Sequence, residues 1–201
     1  MTSPVIDPLP GFPPAPLPRL YSADRLPPHI WAELTAHEPT RRRYLARVYR
    51  RDPTLCWYFL GAISDTGHGK LRAGSRAAGA QDAGEPASRV VTAHVYGWHL
   101  AYGPSAYHPH TSAPLIAHRC DEGSCQNPGH WRLNDTAGNT GEYMARRYSP
   151  DSPLADVRGP GGRARAIASA IRAALQAGRD VDAAIAAAAA AGLPSCQPRL
   201  F

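Results

Sequence analysis

The sequence predicts an α+β fold: a small core of short strands and one helix built around a metal site, with helical extensions on both sides. Three observations predict it. Short apolar, aromatic or β-branched runs, Cys56 to Ile63 and Arg89 to Thr92, have the composition of half-buried strands. Segments with apolar residues at helical spacing flank them at both ends of the chain. Between lies Pro114 to Asn139, where Cys, His, Gly and Asn crowd together as they do around a bound ion.

Residues 1–22 carry Pro4, Pro8, Pro10, Pro13, Pro14, Pro16 and Pro18, which cannot donate backbone hydrogen bonds, so an extended arm is expected. A basic helical segment follows over 23–55. One short helix after Pro28 puts Ile30 and Leu34 on one face. Thr40 then caps a second helix, in which Tyr44, Leu45, Val48 and Tyr49 recur at helical spacing until Asp52 and Pro53 end it. The core is expected over 56–148. Cys56 to Ile63 reads as one strand, a turn near Gly67–Gly69 leads into Lys70, Leu71 and Arg72, and 73–88 is loop. Arg89 to Thr92 reads as a strand, and His94 to Tyr102 as a helix stopped by Gly103 and Pro104. A further helix runs through Tyr143, Met144 and Arg147. A Pro/Gly linker is expected over 149–162 and a helical hairpin with a tail over 163–201, broken at Gly178 with Asp180 as the next cap. Ile167, Ile171 and Leu175 form an apolar stripe, suited to a packed hairpin or a dimer contact. It is not read as a DNA-reading helix pair, because its second helix is almost all Ala and Ala makes no bidentate base contact.

A chain of 201 residues suits one core domain with extensions. Its net charge of +6 favours an acidic partner, DNA first among them. That charge is nearly all arginine, with Lys70 the single lysine, in a chain rich in Ala, Gly and Pro as GC-rich genomes encode. It therefore agrees with DNA binding without establishing it. Arg41, Arg42, Arg43 and Arg47 form either a solvated helix face or a set of phosphate contacts, which would give affinity without sequence choice. No apolar run has the length of a bilayer span and the N-terminus lacks a signal-peptide pattern, so no membrane partner is expected and a cytoplasmic location is.

The chemistry concentrates in His118, Cys120, Cys125, His130 and Asn139, spaced H-x-C-x4-C-x4-H-x8-N. A structural zinc site takes four tetrahedral ligands. Cys56 is the other cysteine within the expected core, so Cys56, Cys120, Cys125 and His130 are predicted to hold Zn2+, worth on the order of 10 kcal/mol to folding. His118 and Asn139 are left over, and both suit phosphodiester hydrolysis. A neutral imidazole takes a proton from water, and an amide oxygen is a hard ligand for Mg2+. Residues two apart on a strand face the same side, so separate duties for His118 and Cys120 require the strand to end or twist at Arg119.

The stretch resembles HNH (His-Me finger) nucleases, and within them the His-Cys box homing endonucleases, in which a β-hairpin and a helix, the ββα-metal core, hold one catalytic metal. His118, Cys120, Cys125, His130 and Asn139 match that pattern position for position. The resemblance covers about residues 56–147. It implies a metal-dependent endonuclease of phage or mobile-element type, acting in a bacterial or phage-infected cell, that hydrolyses DNA and leaves a 3′ hydroxyl and a 5′ phosphate. It implies His118 as general base, Asn139 as ligand of a catalytic Mg2+ or Mn2+, and structural Zn2+ on the other four residues. Arg89 to Gly103 also looks like the strand-helix lead-in of phage HNH proteins, which often show Ala-His-Arg where this chain has Ala93, His94 and Val95. In that family an arginine ahead of the motif contacts the scissile phosphate, and Arg89 is the candidate here. The second zinc cluster of some His-Cys box enzymes has no cysteines left to build it. The contrasting expectation is a non-catalytic, zinc-stabilised DNA-binding protein, in which His118 is an ordinary histidine and Asn139 caps a helix. His94, His99, His108 and His110 stand at no matching ligand spacing and read as packed or surface residues. Gln197, Leu200 and Phe201 resemble the Q-x-x-L-F peptides that dock on the bacterial sliding clamp, and a homodimer would supply two copies for double-strand cleavage.

Overall fold

The computed structural model of the chain describes residues 26–104 and 115–194. The proline-rich arm, His108, His110, Cys196 and the tail residues Gln197, Leu200 and Phe201 lie outside them. Among the described residues the chain is α+β, with six α-helices and three small antiparallel sheets. None of these helices is long and apolar enough to cross a membrane.

Helix α1 (Pro28–Ala36) begins with proline in its first turn, where the missing N–H costs nothing, and buries Trp31 and Leu34. Helix α2 (Glu38–Leu45) follows after His37, which holds the cap position expected of Thr40. Thr40 instead sits fully buried, its hydroxyl bonded to His37 Nδ1 at 2.8 Å and accepting Gly74 N at 2.9 Å. It ties the helix to the strand beyond it. The helix also stops earlier than its periodicity suggests. Val48 and Tyr49 form strand β1, paired with β2 (Tyr58–Phe59), because β-branched and aromatic side chains suit a ladder as well as a helix face.

The run Cys56 to Ile63 is not one strand. Gly61 separates β2 from β3 (Ala62–Ile63), and a Cβ at Gly61 would collide with the Phe59 ring. Strand β3 pairs with β4 (Gly69–Ala73), and β4 with β5 (Arg89–Thr92), in register Lys70 to Thr92 and Leu71 to Val91. Helix α3 (Ala93–Tyr102) leaves directly from β5 and is buried along most of its length. Its Tyr96 packs in the main core with Trp31, Leu34, Tyr44, Phe59 and Trp131.

Strand β6 (Leu115–His118) pairs with β7 (Trp131–Asn134), His118 opposite Trp131, and helix α4 (Thr136–Arg146) follows. Asp135 caps α4 by accepting Gly138 N at 2.6 Å, so Asn139 is not the cap.

Helix α5 (Gly159–Gln176) starts inside the stretch expected to be linker, with Pro160 in its first turn. Helix α6 (Val181–Ala190) is capped by Asp180 as expected, which accepts from Asp182 N and Ala183 N. Ile167 and Ile171 are buried against Tyr58 and Ile185, while Leu175 is exposed, so the stripe closes the hairpin onto the core with its first two members only. A buried ion network fixes this hairpin. Arg163 Nε donates to Glu122 Oε2 at 2.9 Å, and its Nη1 reaches Asp156 Oδ2 at 3.3 Å and Ala189 O at 2.9 Å.

Candidate functional site

Cys56 and the local stretch carrying Cys120, Cys125 and His130 come together in space. Each of the four offers one ligand atom, all within 4.8 Å of one another, so the group can hold a metal ion. Cys56 precedes β2, Cys120 lies in the turn after β6, Cys125 bridges to Tyr58, and His130 ends a short 3-10 turn before β7. Asn127 is the residue that locks this knuckle. Its Nδ2 donates to Pro53 O at 2.8 Å and Leu55 O at 2.7 Å, while its Oδ1 accepts Gly129 N at 3.0 Å. The segment carrying Cys56 is thereby tied to the segment carrying Cys125 and His130. His130 Nε2 faces Thr54 O at 3.3 Å and must carry its proton there, which leaves Nδ1 as a lone-pair donor. Close approach of the three sulfurs pulls the Cys120 thiol pKa far down and pushes that of Cys56 up.

The strand does end where two-site duty demands. Residues 119 and 120 are turn, and Asp121 takes a positive φ of 56°, rare for a residue with a side chain. His118 therefore stays on the strand while Cys120 swings away to the knuckle. Cys125 serves both sides: its sulfur belongs to the cluster, and its carbonyl accepts His118 Nε2 at 3.0 Å and Trp131 Nε1 at 3.1 Å. That bond puts the His118 proton on Nε2 and leaves Nδ1 basic.

His118 and Asn139 line one cavity of about 710 Å³, together with His68, His94, Lys70, Thr92, Asp65, Asp121, Tyr143 and Arg146. Hairpin and helix thus bring together the two residues that sequence reading set apart from the metal group. The cavity lining does not include Arg89, whose Nε donates to Ala87 O at 3.4 Å. Nor does it include Arg41, Arg42, Arg43 or Arg47. Arg41 pairs with Glu38, and Arg43 Nη1 donates to Arg72 O at 2.6 Å. The cations at the cavity are Lys70, whose Nζ donates to Thr92 Oγ1 at 3.1 Å, and Arg146, paired with Asp121 at 2.8 Å.

His94 is buried, as the reading of a packed residue has it, but it also lines the cavity beside His118, and His68 is an addition to the sequence reading. The His68 and His94 rings stand 5.1 Å apart, and His94 stands 4.5 Å from His118. Burial holds all three imidazoles neutral: it lowers the pKa of His68 to about 4, that of His94 well below its usual range, and that of His118 as well. No ligand spacing signals them, because β4 and α3 bring them to β6 only through the tertiary fold. His99, by contrast, is a packed residue, its ring stacked on Trp31 at 4.3 Å.

No protein-family model, curated protein or solved structure matches this chain. Function is therefore read from these two groups of residues.

Proposed function

We propose that this protein is a metal-dependent endonuclease that hydrolyses DNA phosphodiester bonds, with His118 as the general base and Asn139 as protein ligand to a hard divalent cation, Mg2+ or Mn2+. The observation that carries the reading is the shared cavity. A neutral imidazole whose Nε2 is held by a carbonyl, at the end of a two-stranded hairpin, and an amide residue of the following helix both line it. Asn139 is exposed and its helix is capped by Asp135, so its amide is not needed for capping.

In this reading the Cys125 carbonyl holds the His118 ring with Nδ1 toward the cavity, where it takes the proton of the attacking water. The water oxygen bonds to phosphorus as the bond to the 3′ oxygen breaks, and a proton must reach that oxygen to give the 3′ hydroxyl. Asn139 would hold the cation, which would supply stabilisation of the charge on the phosphate and the leaving oxygen. Lys70 and Arg146 take the phosphate-contacting role expected of Arg89, since they line the cavity. Arg41, Arg42 and Arg43 on α2, with Arg47 in the turn after it, give non-specific grip on the duplex backbone.

The Cys3His group is assigned to structural Zn2+. Tetrahedral zinc with Zn–S of roughly 2.3 Å and Zn–N of roughly 2.05 Å separates sulfur from nitrogen by about 3.5 Å. His130 Nδ1 lies 3.5 Å from Cys56 Sγ and 3.5 Å from Cys125 Sγ. A two-stranded hairpin followed by the helix that carries Asn139 supports the reading of a ββα-metal core.

The test is nicking of supercoiled plasmid, backed by a randomised DNA library, with zinc-loaded wild type, His118→Ala and Asn139→Ala, with and without Mg2+. Mg2+-dependent cutting that falls by a factor of about 100 or more in His118→Ala is expected. Folded, zinc-loaded wild type that binds DNA but cuts neither substrate would instead favour a non-catalytic zinc-stabilised DNA-binding protein.

A further inference from the structure

We infer that His68, His94 and His118 form a second metal site, selective for an imidazole-binding divalent ion such as Zn2+, distinct from the Cys3His group. One ring nitrogen of each lies within 4.8 Å of those of the other two. Proximity alone would also describe packed rings. The hydrogen bonds around them say more, because each ring has one nitrogen committed to a protein acceptor.

His118 Nε2 donates to Cys125 O at 3.0 Å, and His94 Nε2 to Ile116 O at 3.2 Å. For His68 the tautomer follows from a short chain. The Ser64 hydroxyl donates to His68 O at 3.1 Å, so the 2.9 Å contact between Ser64 Oγ and Thr66 Oγ1 takes its proton from Thr66. Thr66 Oγ1 then accepts from His68 Nδ1 at 3.0 Å. Each ring is left with one lone-pair nitrogen: Nδ1 of His118, Nδ1 of His94 and Nε2 of His68. His94 Nδ1 is buried and has no hydrogen-bond partner, although a buried ring acceptor normally finds one. Orientation of a ligating imidazole through its other N–H, onto a carbonyl or hydroxyl, is the usual support of a protein metal site.

The chemistry of the donors selects the ion. Three neutral nitrogens suit Zn2+, Co2+, Ni2+ or Cu2+, whereas Mg2+ and Ca2+ take oxygen ligands. Three histidines would also leave a fourth position open, and all three line the cavity. Lys70 in the cavity wall opposes a cation, and Asp65 and Asp121 in the same wall offset it.

Occupancy has a consequence that rests on the nuclease reading. The His118 lone pair is the base in that reading, so an ion bound to it blocks proton abstraction. Zn2+ then acts in two ways, structural in its first equivalent and inhibitory in its second.

The experiment titrates the full-length, zinc-loaded protein with Zn2+ alone. Bound zinc is counted at equilibrium, and histidine ring 15N signals are followed by NMR. Wild type is expected to hold two equivalents and His68→Gln one, with the second equivalent shifting the ring signals of His68, His94 and His118 together in wild type. Wild type that stops at one equivalent, or a second equivalent that leaves these three rings unmoved, overturns the site, and the NMR arm does not depend on how the variant folds. In parallel, Mg2+-driven nicking by wild type is expected to fall in step with the second equivalent. Two equivalents and three shifted rings in a protein that never cuts DNA would support the site while removing the nuclease reading.

Discussion

Replacing Arg163 tests how the C-terminal hairpin is held to the Cys/His knuckle. Arg163 is 8% exposed and contacts Glu122, 4% exposed, and Asp156, 5% exposed. At 2.9 Å the gross attraction to Glu122 is about 6 kcal/mol for an effective dielectric near 20, much of it offset by the desolvation of both charges. In Arg163→Met, Asp156 keeps Arg158, at 2.6 Å, but Glu122 keeps only the Ser124 hydroxyl at 3.1 Å. Burial already raises the Glu122 pKa against the lowering by Arg163, so the stranded carboxyl ends up either charged and unpaired or protonated. Removing one partner of such a pair costs about 3–5 kcal/mol. Urea melts of the zinc-loaded protein at neutral pH measure it as a drop in midpoint at unchanged slope. Arg163→Met/Glu122→Gln should recover a large part of the loss, since no charge is then stranded. A loss below about 1 kcal/mol in the single variant, or a double variant no better than the single, would refute the reasoning.

Three further outcomes are expected. Stripping metal from the Cys3His group with a chelator should cost several kcal/mol, because an ion there would tie Cys56 to the distant segment carrying Cys120, Cys125 and His130; a melting temperature unchanged after verified metal loss would remove the structural assignment. Burial lowers the His99 pKa from 6.5 to about 4, so between those values the unfolded chain binds a proton that the native state does not, and stability falls as pH falls. His99→Phe should therefore lose about 1.6 kcal/mol less than wild type between pH 6.5 and pH 5, read from urea melts at both. Gly97→Ala should destabilise by about 1–3 kcal/mol despite its gain in helix propensity, because the new Cβ meets the Tyr44 hydroxyl and the Trp131 ring; calorimetry showing a rise in melting temperature would contradict that packing.

Much of this protein was legible in its residues. Local rules place Asp180 as a cap, Gly103 and Gly178 as helix stops, and β5 at Arg89–Thr92, because each depends on neighbours in the chain. The Cys/His group was legible for a related reason. Soft ligands are rare and three of its four members lie within eleven residues, so spacing alone points to a bound ion. Local rules mislead where tertiary contacts compete. Thr40 has the chemistry of a cap and spends it on His37 and Gly74, and Val48 and Tyr49 exchange a helical face for a strand partner. The histidine trio was beyond sequence reading altogether. His68, His94 and His118 lie on or beside three elements far apart in the chain, and nothing in their separations marks a shared site. Sequence alone determined which residue types were available and which short segments would form. Only the tertiary structure decided that β4, α3 and β6 meet at one cavity, because burial, ring orientation and the Cys125 carbonyl on His118 are properties of packed neighbours.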